Sequence, residues 1–321
     1  MLRVAIVSDV HYAGPRESAR RGRELDPIVA PWQRWLVRAY RRHLWLENPC
    51  AHNHQLNRFV SEARGADLVV ANGDFACDFA CLGVMDDEAF ESASLSLRIL
   101  RNQFGPRFRA TIGDHELGKK MLAADVGGFR LPSYWRATVE LGLEPFWRCD
   151  LGAYLLMGIT SSLVALPIYQ VEGLPEEIEG WQTLRAQHLD QIRTAFLGLE
   201  PSRRVLLFCH DPSALPFLLR ETAIQERLGQ IERTIIGHLH SPAVLRRSRM
   251  LSGMPRISFL GHTITRLSSA VREARVWEKF RPLLCPSLTG LQCLRDGGFY
   301  TVDLDPTGME SARFIAHPLP W

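Results

Sequence analysis

No stretch of this 321-residue chain reaches the roughly 18–20 consecutive apolar residues that a bilayer-spanning helix needs. Any meeting with a membrane is therefore expected from the side. Cysteine is scarce and scattered: there are seven, an odd number, and Cys77 and Cys81 stand four apart with no second pair to complete a zinc ribbon. That excludes a disulfide framework and favours reduced thiols in a cytosolic protein. The opening apolar segment is too short for a signal peptide and meets a carboxylate at Asp9. A net charge of +3 is too small to argue for nucleic acid. There is no internal repeat and no low-complexity linker, so one domain is expected over residues 1–321, with 46% hydrophobic and 23% charged residues typical of a soluble globule.

What the chain does have is a set of short apolar runs that end in metal-ligand residue types. Leu2–Val7 is followed by Ser8-Asp9-Val10-His11, Asp67–Ala71 by Asn72-Gly73-Asp74, and Phe108–Ile112 by Gly113-Asp114-His115-Glu116. Arg204–Cys209 runs into His210, and Thr234–Ile236 into Gly237-His238-Leu239-His240. Each run reads as a buried strand, and α/β proteins place ligands at the carboxyl ends of strands. A single His-x-His pair is weak evidence, because surface or capping histidines are commoner than ligands. Five such endings in one chain are hard to assign to chance. The donors are Asp and His without thiol pairs, which suits Mn, Fe, Zn, Ni or Co better than Ca or Mg. Seven candidate ligands exceed what one catalytic ion takes, which points to two ions sharing a ligand.

Further strands are expected at Arg256–Leu260 and Phe299–Leu304, a hairpin over Pro145–Ser161 turning at Asp150-Leu151-Gly152, and helices at about His54–Gly65, 86–104 and Trp181–Leu197. Residues 118–144 read as a glycine-interrupted helical connection, Val271–Leu284 as amphipathic, and the tail as proline-rich. Residues 13–58 form a basic, Trp-rich helical insertion: between Arg16 and Glu47 eight arginines face four acids, a net of +4. From Pro31 to about Leu46, Trp32, Trp35, Leu36, Tyr40 and Leu44 recur at helical spacing, with arginines largely off that face. Two readings stay open here: a membrane-surface helix with interfacial aromatics, or a helix packed on the body with a solvated basic face.

The order Asp-x-His, Gly-Asp, Gly-Asp-His-Glu, a lone His and Gly-His-x-His resembles the calcineurin-like metallophosphoesterases, over about three quarters of the chain (residues 9–240). The resemblance implies an α/β fold, a four-layer αββα sandwich of two mixed β-sheets flanked by helices, with a C-terminal extension at about 262–321. It implies two divalent metal ions, manganese first, with Fe, Zn, Ni or Co as alternatives. Asp9, His11 and His240 would hold one ion, Asp114, His210 and His238 the other, and Asp74 would bridge them. His115 would stabilise phosphate or give a proton to the leaving group. Two ions ~3.5–4 Å apart clamp the attacking and leaving oxygens of an in-line displacement and make hydroxide available at neutral pH. This chain departs from the family pattern in having Asp114 where Asn is usual, and in having Asp78 four residues after Asp74 where the family often has Asp at three. Glu116 reads as a partner of the ligands or as a helix N-terminal acid.

Arg246, Arg247 and Arg266 are candidate substrate-binding residues, with solvated arginine as the alternative; His43, His52, His54, His188 and His262 read as surface or packing residues. The leading expectation is a phosphodiester or pyrophosphate hydrolase acting on a membrane-associated substrate, of the kind cleaved by the family's UDP-2,3-diacylglucosamine hydrolases in lipid A synthesis. The protein would then be cytoplasmic and peripheral on the inner face of the membrane. The alternatives are a soluble nucleotide phosphodiesterase or nuclease, and a scaffold that kept the fold without catalysis. No obligate nucleic-acid partner is expected.

Overall fold

In a computed structural model of the chain, which describes residues 1–21, 25–121, 124, 126–259, 261–291 and 293–320, the strands form two five-stranded sheets. β1 (Leu2–Val7), β2 (Leu68–Asn72) and β3 (Phe108–Thr111) are mutually parallel neighbours. The second sheet begins with the hairpin β4 (Phe146–Leu151) and β5 (Tyr154–Ile159), then adds β6 (Arg204–Cys209), β7 (Ile231–Ile236) and β8 (Pro282–Leu284) in parallel. The chain then returns to the first sheet. β9 (Gly298–Leu304) pairs antiparallel with the free edge of β1, Leu2 opposite Leu304, and β10 (Arg313–Pro318) closes that edge. Both sheets are thus mixed.

The apolar character of β1 follows from burial on both faces. Val4 and Ile6 meet Val70, Trp147, Leu156 and Phe208 between the sheets. Ala5 and Val7 face the helical layer, in the same cluster as Leu56, Phe59, Leu97 and Leu100. The helices are α1 (Pro31–His43), α2 (Asn53–Glu62), α3 (Asp87–Phe104), α4 (Ile178–Leu197), α5 (Pro242–Met250) and α6 (His262–Arg272), besides shorter turns. α3 starts where the Asp86 carboxylate accepts from the amides of Glu88 and Ala89. It packs beside β3, while α4 buries Trp181, Ile192 and Phe196 beside β4. The arrangement is the four-layer αββα sandwich expected.

Several expectations need correction. The last strands are not an appendage, because β9 and β10 complete the first sheet around β1; the apolar alternation of Arg313–Pro318 is too interrupted by His317 and Pro318 to announce a strand. The strand expected at Arg256–Leu260 is a loop in the described residues, bonded alongside α6 through the Ile257 amide and Ser268 Oγ at 3.0 Å; Leu260 lies outside the described residues, as do Arg23 and Glu24 of the basic insertion. Among the described residues of 118–144 the helical part is Leu131–Glu140. α1 ends at His43, three residues early.

The tryptophans of α1 are not core residues. Trp32 is 62% exposed and Trp35 66%, and α1 buries no residue at all. Val37 and Tyr40 nevertheless turn toward the body, where they line a cavity.

Candidate metal centre

β1, β2, β3, β6 and β7 all end at one place, between the carboxyl edges of the two sheets. Asp9 and His11 follow β1, Asp74 follows β2, Asp114 and His115 follow β3, His210 follows β6, and His238 and His240 follow β7. The backbone there is held in sparsely populated conformations. Asp9, His11, Asp74, His238 and His240 all have φ between 43° and 60°, the left-handed region that costs non-glycine residues about 1–3 kcal/mol each and clusters at functional sites. Two glycines allow the close approach. A Cβ on Gly73, itself at φ 89°, would sit 2.8 Å from His210 Nδ1, and one on Gly237 would sit 2.1 Å from Ser8 Oγ.

The side chains gather into two groups. Asp9, His11 and His240 offer one set of donor atoms; Asp74, Asp114, His210 and His238 offer another, and Asp74 also lies with His11 and His115, each set within 4.8 Å. His240 Nε2 is 3.2 Å from Asp9 Oδ1, and His11 Nε2 is 3.2 Å from His240 Nε2. His210 Nε2 is 3.1 Å from Asp74 Oδ2 and 3.4 Å from Asp114 Oδ1, while His238 Nδ1 is 2.8 Å from the same Asp114 oxygen. All seven are buried except His238, which is partly exposed.

The far side of each ring is fixed by the backbone. His210 Nδ1 donates to the Asn72 carbonyl at 2.5 Å, His11 Nδ1 to Ala76 O at 3.4 Å, and His115 Nδ1 to Cys77 O at 3.0 Å. Each bond selects a tautomer whose Nε2 lone pair points into the site. Glu116 is neither a ligand nor a simple helix-end acid. Its carboxylate accepts from the amides of Asp74 at 3.0 Å, Phe75 at 2.7 Å and Gly113 at 2.8 Å, and so fastens the β2 loop to the β3 loop. Burial and the nearby Asp74 raise its pKa to about 7. Asp78 is buried and its carboxylate accepts from the Gly83 amide at 3.1 Å.

The electrostatics favour a cation. Burial and Asp114 oppose ionisation of Asp74, but His210 outweighs them and holds its carboxyl below the usual range. Burial likewise opposes Asp114, which His238 and Lys119 keep ionised. Among the described residues Asp9 Oδ2, His210 Nε2 and His240 Nδ1 are buried without a hydrogen-bond partner, a condition that costs roughly 1–3 kcal/mol per group. Two imidazole nitrogens facing each other at 3.2 Å are also unsatisfied unless a proton or a cation lies between them. Three carboxylates and four imidazoles with inward lone pairs thus fit a pair of divalent N/O-ligated ions.

Three neighbours carried no signal in the motifs. Lys119 reaches back over the one-turn helix Asp114–Leu117; its Nζ is 3.3 Å from Asp114 Oδ2 and donates to His115 Nε2. Burial and Lys119 together push the His115 imidazole down to about 3, so it is neutral. Trp45, just past α1, packs its ring 4.5 Å from that of His240 and stacks on Tyr40. Glu172, fully buried, holds Arg266 Nε at 2.9 Å and the Lys120 amide at 2.9 Å. The site opens into a cavity of about 350 Å³ whose lining includes Leu25 and Ile28 ahead of α1, Val37 and Tyr40 of α1, and Arg266 and Leu267 of α6. Arg246 and Arg247 stand exposed on α5 outside that lining.

The overall fold has a counterpart among solved structures. The solved structure of a dimetal phosphatase from Danio rerio matches with a TM-score of 0.51 at 13% identity, covering 99% of this chain and 95% of that one. A phosphopantetheinyl hydrolase from Mycobacterium tuberculosis also aligns, with a TM-score of 0.35 at 13% identity, over 74% of this chain and 83% of its own. No protein-family model matches the sequence, and no curated protein matches it significantly.

Proposed function

We propose that the protein is a two-metal hydrolase of a phosphodiester or pyrophosphate bond whose substrate carries an apolar, membrane-embedded part, of the kind represented by UDP-2,3-diacylglucosamine. The observation that carries the hydrolase reading is the joining of two donor groups through Asp74, in a buried site where Asp9 Oδ2 and His210 Nε2 lack hydrogen-bond partners among the described residues. In this reading Asp9, His11 and His240 hold one ion and Asp114, His210 and His238 the other, with Asp74 between; manganese is the first candidate. Bound there, the ions supply Lewis acidity and a hydroxide nucleophile at neutral pH.

The chain's own residues do the rest. The Lys119 ammonium, bonded to neutral His115, is the proton-bearing member of a pair that faces the cavity; this pair stands where a leaving oxygen needs a proton. Arg266, anchored by Glu172 through Nε, lines the cavity, where its guanidinium would serve as a phosphate clamp. Apolar walls from Leu25, Ile28 and Val37 suit an acyl chain better than a sugar or a base.

The test is metal analysis of the purified protein together with turnover of bis-p-nitrophenyl phosphate and of an acylated sugar nucleotide. Asp74→Ala or His238→Ala is expected to abolish turnover and lower bound metal in a folded protein. Full activity in either variant, or absence of both metal and turnover in the wild type, would sink the reading. Preference for a soluble nucleotide over the acylated substrate would leave the hydrolase and remove the lipid.

A further inference from the structure

We infer that the cavity mouth is a two-lipped docking surface for an anionic lipid bilayer, with α1 as one lip and α5, α6 and the loop 251–259 between them as the other. The inference rests on the lipid-linked reading of the substrate, but binding can be measured without turnover.

Both lips border the same opening, since Val37 and Tyr40 of α1 and Thr263 and Leu267 of α6 line one cavity. Both expose large apolar side chains. Trp32 and Trp35 stand out on α1; on the other side Phe259 is 83% exposed and Leu267 42%. The loop that carries Phe259 is fastened along α6, by Gly253 N to Arg272 O at 2.9 Å and Ile257 N to Ser268 Oγ at 3.0 Å. Phe259 is therefore displayed beside the mouth rather than lost in a free loop.

The charge pattern selects the partner. No acidic residue occurs from Pro27 to Leu46, nor from Ser241 to Arg272. Arg38 and Arg42 are exposed on the first lip, and Arg246, Arg247, Arg256 and Arg272 on the second. Arginines at an anionic bilayer gain ~1 kcal/mol each, and aromatic rings favour the headgroup level. A single helix with two exposed arginines would hold weakly; a second lip that borders the same opening adds to its hold. A nucleic acid would use the arginines and stack on the aromatics, but the exposed aliphatic side chains Leu36, Leu44, Leu251 and Leu267 gain nothing from bases and gain most from acyl chains. A substrate drawn from the bilayer would enter between the lips, with its phosphate end toward Asp74.

The experiment is sedimentation of the metal-loaded protein with vesicles of phosphatidylcholine alone or mixed with phosphatidylglycerol. Bis-p-nitrophenyl phosphate turnover is followed in the same samples. Binding is expected to need the anionic lipid and to weaken with salt. The pairs Trp32→Ser with Trp35→Ser, and Arg256→Gln with Phe259→Ser, should each weaken it by about tenfold, on the scale of one to two lost interfacial residues, and the four changes together should abolish it. Turnover of the small soluble substrate should be unchanged in all of them. Wild-type affinity in the Arg256/Phe259 variant would remove the second lip. Failure of the wild type to bind, or salt-sensitive binding to single-stranded DNA in its place, would overturn the docking surface. Vesicle binding with no phosphoester turnover would leave the surface standing and defeat the hydrolase reading instead.

Discussion

A third carboxylate lowers the charge of a two-ion site by one unit, and at Asp114 the chain sets a lysine against it. Lys119 Nζ lies 3.3 Å from Asp114 Oδ2, so the pair restores the charge that a neutral amide would give. Unit charges ~5 Å apart in an effective dielectric of ~20 interact by ~3 kcal/mol; single changes here should therefore move metal affinity by at least about tenfold, in opposite directions. Lys119→Met should tighten Mn²⁺ binding in calorimetric titration of the metal-free protein, Asp114→Asn should weaken it, and the double variant should return close to wild type. A double variant no different from Asp114→Asn alone would show that Lys119 acts on the metal only through Asp114 and not through its own charge. His115→Ala should keep its metal content but turn over roughly 10²–10⁴-fold more slowly; a fall in metal content would make His115 a ligand. The acids and imidazoles of the site were readable because each stands at the end of an apolar run. Lys119 was not, because it follows Gly118, at φ 91°, in a Gly-Lys-Lys sequence that reads as solvated loop. Only the turn of the chain after Leu117 brings it back over Asp114.

Among the elements, strands buried on both faces were the most legible: β1 and β6 stand where their apolar runs begin and end. Elements whose existence depends on a distant neighbour were not. β10 is defined by its ladder to β9, and the apolar residues of 256–259 lie along α6 rather than in a sheet. The same holds for the basic insertion, whose composition was plain but whose attachment was not. It is tied down at the short helix Pro15–Ala19, where the buried Glu17 carboxylate accepts from the Phe79 amide at 2.9 Å. Burial raises Glu17 from its ordinary 4.5 to about 7. Between those values the folded chain keeps a proton that the unfolded chain has lost, so stability falls as pH rises from 4.5 to 7 and levels off above. Glu17→Gln should flatten that slope in urea melts across the window, and an unchanged slope would place the titration elsewhere. At the other end of the insertion, Trp45→Ala should loosen the contact with His240, lowering metal affinity by a fewfold and leaving overall stability little changed.

At the scale of the whole molecule, the centre is where two sheets meet without a shared strand. Asp9, His11, Asp74 and Asp114 come from the first sheet, and His210, His238 and His240 from the second. Without cations, this junction concentrates buried carboxylates, unpartnered imidazole nitrogens and five left-handed non-glycine residues, all of which oppose folding. With cations, the same groups bridge the two sheets. Stability should then depend strongly on metal: at a free concentration of 100 Kd a single site contributes ~2.7 kcal/mol. Chelation should lower Tm by several degrees, at roughly 2–4 °C per kcal/mol for a chain of this size. Asp74→Asn separates the two effects. Asn tolerates the left-handed backbone, and the change removes the charge facing Asp114 while giving up the carboxylate proposed to lie between the ions. In chelator the variant should therefore melt at or above the wild type, and in saturating Mn²⁺ below it, so that the two orders cross. A variant that melts below the wild type in both conditions would mean that Asp74 stabilises the junction by itself, and that function has exacted no stability from this site.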